Sequence, residues 1–279
     1  MAPVRLVASD LDGTLLGPDR ELSPRTLAAL QAAHHEGIEV VAATGRSHVD
    51  ALGRLEAAAT LRWLVCSNGA VLYDRETDQA VDRHDMAAET VPAVVAALRA
   101  GLPEVAFAWE TNTGFGCEEG FLVIAPSRGG GRGDVTDRFG PPYPDGLTKL
   151  MVAHPDLRRD ALLAVLRPVL VDGLVATASS VPFVDIAPPG IDKAFGVARL
   201  CERLGVDRTE VAALGDHIND IALLRWAGRS VAMGDAHPEV LAAAQEVTGT
   251  CQEDGAAAWL EALLASRSGD GGAGAHALG

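Results

Sequence analysis

The chain has 279 residues, 48% of them hydrophobic, and a formal net charge of −15. A sizeable buried core is expected, in one large domain or two moderate ones, and the acidic balance argues against nucleic acid or an anionic membrane as partner, because both would be repelled. Cys66, Cys117, Cys201 and Cys251 lie far apart without a CxxC pair, which reads as free thiols in a reducing compartment.

Val4 to Ala8 is a short apolar run, read as a buried strand. It ends on Asp10 and Asp12, with Gly13 and Thr14 directly after. Ser23-Pro24 then has the form of an N-cap with proline at the first helical position, Leu27, Leu30 and Ala33 supply the apolar face, and Gly37 closes the helix. Ile38 to Ala43 is a second buried strand, ending in Thr44-Gly45-Arg46, and a helix follows through Leu52 and Leu55. Trp63 to Cys66 is a third, ending in Ser67-Asn68-Gly69. The pattern is βαβαβ, which predicts a doubly wound, mostly parallel, Rossmann-like sheet.

After Arg83 the rhythm changes. Residues 84–188 combine a helical stretch (Val91 to Ala100), strand-like pieces (Val105 to Trp109, Phe121 to Ile124, Lys149 to Ala153, Val181 to Ile186) and a Leu157 to Leu166 helix. This predicts an inserted α+β domain between a first core part, 1–83, and a second, 189–265. In the second part, Ala194 to Leu204, Ile218 to Ala227, Glu239 to Gln245 and Ala256 to Ala265 read as helices, and Val211 to Leu214 and Ser230 to Met233 as strands. The glycine-containing stretch 266–279 lacks apolar periodicity and is expected to be disordered. Gly129 to Gly133 lacks the Lys-Ser/Thr of a P-loop and reads as a flexible loop. No basic-then-apolar leader is visible, and no apolar run approaches the ~20 residues of a membrane span. A soluble, cytoplasmic protein, monomeric or homodimeric, is expected.

In open α/β sheets ligands bind beyond the carboxyl ends of the strands. Asp10, Asp12, Thr44, Arg46, Asn68, Asp216, Asn219 and Asp220 all fall there, and Gly190-Ile191-Asp192-Lys193 opens a helix nearby. Two like charges ~4 Å apart at an effective dielectric of ~20 repel by about 4 kcal/mol. Converging carboxylates therefore call for a cation, and with no His/Cys cluster in competition the expected one is Mg²⁺. Thr44, Lys193 and Asn219 suit a phosphate. Lys149 and Lys193 are the only lysines, and Asn68, Asn112 and Asn219 the only asparagines, so a lysine and two asparagines at strand ends or helix starts hint at specific requirements.

Asp10-Leu-Asp12-Gly-Thr14, Thr44-Gly45-Arg46, Lys193 and Gly215-Asp216-His-Ile-Asn219-Asp220 resemble the four ordered motifs of the haloacid dehalogenase superfamily. Ser67-Asn68-Gly69-Ala70, Asp185-Ile186-Ala-Pro-Pro-Gly190-Ile-Asp-Lys193 and Val231-Ala-Met-Gly234-Asp-Ala236 are similar to its Cof-type branch, whose cap lies between the second and third motifs. The resemblance implies a Mg²⁺-dependent phosphatase acting on a small phosphomonoester, with a sugar phosphate as the expected class. It implies that Asp10 is a nucleophile that becomes an aspartyl phosphate, and that Asp12 protonates the leaving alcohol and then activates water. It assigns Mg²⁺ to Asp10, the backbone carbonyl of Asp12, Asp216 and Asp220, the last through water. It assigns the transferring oxygens to Thr44 with Gly45, Asn219 and Lys193, with Arg46 turned toward substrate or cap. His217 occupies a free position of its motif and reads as a rim residue. Trp109, Glu110 and Asn112 could line the substrate pocket, with Trp109 as cap core the competing reading. Open alternatives are a mannosyl-3-phosphoglycerate phosphatase-like enzyme, a phosphomutase, and a phospho-acceptor regulatory protein.

Overall fold

The computed structural model describes residues 2–111, 114–126, 133–144, 146–170, 174–178 and 182–271. The first strands are β1 (Leu6–Ser9), β2 (Glu39–Ala43) and β3 (Trp63–Cys66), with α1 (Pro24–His35) and α2 (His48–Arg54) between them. Ser23 caps α1 by accepting from the Thr26 N–H, with Pro24 opening the helix. A hairpin of β4 (Val71–Asp74) and β5 (Gln79–Arg83) follows, pairing antiparallel on the edge of β3. Neither strand of this hairpin is among the elements expected from the sequence.

The insert comprises α3 (Thr90–Gly101), β6 (Ala106–Thr111), β7 (Phe115–Glu118), α4 (Glu119–Ile124), β8 (Gly133–Thr136), β9 (Leu147–Ala153), α5 (Arg159–Leu166), β10 (Val175–Ala178) and β11 (Val184–Ala187). The chain then returns to the first sheet through α6 (Lys193–Leu204), β12 (Val211–Gly215), α7 (Ile221–Trp226), β13 (Arg229–Ala232), α8 (Pro238–Ala243), β14 (Glu246–Val247) and α9 (Gly255–Gly271). The core sheet has the order β14-β13-β12-β1-β2-β3-β4-β5, and the insert forms a second sheet, β10-β11-β9-β6-β7-β8. This is a Rossmann-like α/β core carrying an α+β cap.

Two expectations change. Phe121 to Ile124 is helical, not a strand. Phe121 is fully buried against Phe183 while Val123 is 83% exposed, and a strand would put both on one face. A four-residue apolar run alone does not separate these cases. At the other end, α9 continues through Gly271, so disorder does not begin at Ser266. The Arg267 guanidinium donates to the Val4 carbonyl at 3.0 Å, tying this last stretch to the start of β1. Residues 272–279, Asn112, Val181 and the 128–132 part of the glycine loop lie outside the described residues, while Gly133 opens β8.

Strand β1 lies between β12 and β2, parallel to both. Chain order reverses there, so the carboxyl ends of β12, β1, β2 and β3 open onto one crevice. Asp216, Asp10, Thr44 and Ser67 are the residues that directly follow those four strands. In the cap, one sheet face packs on α3 and α5 through residues such as Phe107, Leu150 and Ile186. The opposite face carries Ala108, Met151 and Phe183, and with them, by strand alternation, the polar Glu110, Lys149 and Asp185.

Candidate active site

After β1 the chain turns tightly: the Leu11 carbonyl accepts from the N–H groups of Thr14 and Leu16. Gly13 sits at φ +83°, and a Cβ there would lie 2.5 Å from Asp216 Oδ2. Only glycine lets this turn approach the second acidic loop so closely. On the far side, Gly215 ends β12, and the N–H groups of Asp216 and His217 donate to Asp220 Oδ2 at 3.0 and 2.9 Å. Thr14 Oγ1 donates to Asp216 Oδ1 at 3.2 Å, joining the two loops.

Between them stands Lys193, fully buried in the first turn of α6. Its ammonium donates to Asp10 Oδ1 at 2.7 Å and to Asp220 Oδ1 at 2.6 Å. Burial pulls a lysine down, but the charges and hydrogen bonds of Asp10 and Asp220 outweigh it, and the ammonium is held above the ordinary lysine range. Burial drives Asp10 the other way, up to about 7, with Asp220 and Asp12 adding to the rise and Lys193 opposing it. Asp216 is pushed up to about 9 by burial and by the charges of Asp10 and Asp220, again against Lys193.

Carboxylate oxygens of Asp10, Asp216 and Asp220 lie within 4.8 Å of one another. Three carboxylates face one ammonium, an excess of negative charge that a divalent cation would neutralise. The donor set is all oxygen, which fits a hard ion such as Mg²⁺.

The structure brings Asp12 into the same crevice but gives it a partner not foreseen. The Arg46 guanidinium donates to Asp12 through Nε at 2.6 Å and Nη2 at 2.5 Å, and through Nη1 to Asp50 at 2.5 Å. Arg46 is therefore spent on two carboxylates rather than turned toward the cap, and Asp50, on α2, was not singled out in the chain. Thr44 is buried beside them. Its N–H donates to the Val65 carbonyl at 2.8 Å, so the sheet occupies this backbone donor. The Thr44 hydroxyl remains in the crevice and accepts from the Arg46 N–H at 3.1 Å. His217 is 9% exposed, its ring 5.8 Å from that of His237.

A buried polar seam between cap and core is not among the features expected from the sequence. Lys149, fully buried, donates to the Gly45 carbonyl at 2.6 Å and pairs with Glu110 at 3.4 Å and Asp185 at 3.5 Å. Ser67 Oγ donates to Glu110 Oε2 at 2.8 Å, and Asn68 Nδ2 to Asp185 Oδ2 at 2.9 Å. Asn219 Nδ2 in turn donates to Asn68 Oδ1 at 3.0 Å. The available signal was charge on otherwise apolar strands: Lys149 in LTKLMVA and Asp185 in VDIA. Trp109 points the other way, stacking on Phe139 at 4.4 Å in the cap core.

The profile of the haloacid dehalogenase-like hydrolases matches residues 7–260. The chain is 28% identical over 262 residues to 5-amino-6-(5-phospho-D-ribitylamino)uracil phosphatase YcsE of Bacillus subtilis, an alignment covering 91% of this chain and 93% of that one. It is 30% identical over 264 residues to the HMP-PP phosphatase of Enterobacter sp., covering 90% and 92%. Among solved structures, a haloacid dehalogenase-like hydrolase from Bacteroides thetaiotaomicron superposes with a TM-score of 0.78 at 26% identity, covering 93% of this chain and 99% of that one. With four ordered motifs meeting in one crevice under a cap inserted between the second and third, the chain belongs to the haloacid dehalogenase-like hydrolases, among their phosphatases of phosphoric monoesters.

Proposed function

We propose that the protein is a Mg²⁺-dependent phosphatase of a small phosphomonoester, of the sugar phosphate class, working through an aspartyl phosphate on Asp10. The observation that carries this reading is the placement of Asp10. Its carboxylate is buried at the end of the central strand, oriented by Lys193 at 2.7 Å, and grouped with Asp216 and Asp220.

In the first half-reaction an Asp10 oxygen attacks phosphorus, the bond from phosphorus to the leaving oxygen breaks, and Asp12 gives its proton to the departing alkoxide. In the second, Asp12 takes a proton from water as that water attacks phosphorus, and the Asp10 carboxylate is released with inorganic phosphate. The Arg46 pair holds the Asp12 carboxyl in a fixed orientation through two hydrogen bonds. Lys193, the Thr44 hydroxyl and Asn219 face the transferring oxygens and offset their growing charge. Asp10, the Asp12 carbonyl, Asp216 and Asp220 would hold Mg²⁺, whose chemistry there is to neutralise phosphoryl charge and screen the attacking carboxylate from its neighbours.

The leaving group reads as a small, polar, polyol-like alcohol, the kind a sugar phosphate releases. A ribityl phosphate stands in the name of one relative, which supports the same class. Asp12 beside Asp10 argues against a stable phospho-acceptor, because a base at that place hastens hydrolysis. The test is phosphate release across sugar phosphates, nucleotides and cofactor phosphates, with EDTA and with Mg²⁺ restored, followed by acid-quench trapping of the phosphoenzyme. Turnover of sugar phosphates that needs Mg²⁺ and passes through a short-lived, acid-stable phosphoprotein is expected. Full turnover in EDTA, or no phosphoprotein under single-turnover conditions, refutes the mechanism.

A further inference from the structure

Strand β3 ends in a turn that is costly to make. Ser67 at φ 50° and Asn68 at φ 54° are both left-handed without being glycine, and Gly69 follows at φ 100°. Such conformations persist only where surrounding contacts over-determine them, and they cluster at functional sites. Here the contacts come from two directions. The backbone N–H of Ser67 donates to the Arg46 carbonyl and that of Asn68 to the Thr44 carbonyl, which fastens the turn to the second motif. Both side chains reach up to the cap, Ser67 to Glu110 and Asn68 to Asp185. Asn68 also reaches sideways: its Oδ1 accepts from Asn219 Nδ2.

A continuous line of bonds thus runs from a cap strand, through the strained turn, to the amide that the proposed mechanism places against the transferring oxygens. Every member is buried: Asp185 is 4% exposed, Asn68 3% and Asn219 8%. Asn68 uses its acceptor on Asn219 and its donor on Asp185, so its amide cannot rotate without breaking both bonds. Asn219 is thereby oriented from Asn68, and Asn68 from the cap.

Resting on the phosphatase reading above, we propose that Asn68 and Asp185 are positioning residues: seating the cap brings Asp185 onto Asn68, and Asn68 turns the Asn219 amide into its working orientation. Lys149 supports the same docking through the Gly45 carbonyl. The phosphate-facing set is complete only under a seated cap, so commitment of the substrate and assembly of the site become one event.

The decisive variant is Asn68→Gly. Glycine accepts the left-handed turn without strain, which offsets part of the cost of the two lost buried bonds, so the turn is kept while the amide is lost. Expected are a native circular dichroism spectrum with a cooperative melt and a fall of kcat on an activated aryl phosphate by about tenfold or more. The double variant Asn68→Gly/Asn219→Ala should be no slower than Asn219→Ala alone. Asp185→Asn, which can still accept from Asn68, should recover most of what Asp185→Ala loses. Wild-type kcat in Asn68→Gly, or losses that multiply in the double variant, would overturn the proposal. A readout independent of turnover is the side-chain NH₂ pair of Asn219 in ¹H–¹⁵N spectra, one of only three asparagines in the chain. Asp185→Ala should shift it and hasten its exchange although Asn68 stands between. If the wild type releases phosphate from no compound, the phosphatase reading fails, and the relay is still judged by that signal: moved supports it, unmoved refutes it.

Discussion

Replacing Lys193 by methionine tests the electrostatics of the crevice most directly. The side chain is fully buried and its ammonium lies 2.7 and 2.6 Å from Asp10 and Asp220. At an effective dielectric of ~20 each pair attracts by roughly 6 kcal/mol before desolvation is counted. Methionine keeps the volume and removes the charge, leaving two buried carboxylates uncompensated, a change that costs about 3–5 kcal/mol when the groups stay ionised. They need not stay ionised. Asp10 already sits at about 7 with Lys193 present, and without it the carboxyl rises further. A carboxyl whose folded pKa lies above its unfolded value binds more protons in the folded state, so stability falls as pH rises from about 4 to the folded pKa. The loss in Lys193→Met, measured in EDTA, should therefore be small near about pH 5 and approach its full size, roughly 10 °C in Tm, near about pH 8. The acidic limb of kcat should move upward by a unit or more, because the protonated carboxyl cannot attack phosphorus. Paired calorimetric scans of wild type and variant at the two pH values, with a pH–rate profile on an aryl phosphate, measure both. An equal Tm loss at both pH values, with an unmoved limb, would refute the reasoning.

Mg²⁺ should raise Tm more at about pH 8 than at about pH 5, since Asp10 and Asp216, raised to about 7 and about 9 by burial, must release protons to bind it; a pH-independent shift in a thermal melt would count against the carboxylate site. Asp10→Asn should abolish turnover, while Asp12→Asn should let phosphoprotein accumulate from an aryl phosphate, read by acid quench; normal kcat in Asp10→Asn excludes covalent catalysis. Gly13→Ala should cost more than about 1 kcal/mol of stability and most of the activity, because φ is +83° and the new Cβ would meet Asp216 Oδ2 at 2.5 Å; a wild-type Tm and kcat would show that the turn relaxes freely.

The strands that carry the site were readable because a parallel sheet buried on both faces leaves continuous apolar runs, as in LVAS and WLVC. Polar residues at the ends of those runs then stand out, and the structure gathers Asp10, Asp216, Asp220 and Lys193 as that pattern implied. The β4–β5 hairpin left no such trace, since β5 is half-exposed and mixed in composition. The polar seam was hidden for a different reason. Lys149 and Gly45 are 104 positions apart, Asn68 and Asp185 117 apart. Their meeting depends on the registers of β6, β9 and β11 and on how one sheet sits over another, which no local pattern encodes. Arg46 shows the limit at a single residue: its place at a strand end was legible, its choice of Asp12 and Asp50 was not.

The two crossings between the sheets are unequal, and that has a bearing on exchange of modules between proteins. The outgoing crossing is fastened to the insert, with the Met86 N–H donating to the Leu147 carbonyl and Arg83 pairing with Asp85. The returning one is short: β11 ends at Ala187 and the buried lysine of α6 stands at 193. Its far end has no slack, since a Cβ on Gly69 would lie 1.9 Å from the Asp192 carbonyl oxygen. On this crossing, any swing of the lid falls on Pro188 to Ile191, around Gly190 at φ +74°. A foreign lid spliced on before Pro188 would inherit this pivot intact. Joined two or three residues later, it would redraw the tether of Lys193, so a change meant for selectivity would be paid in turnover.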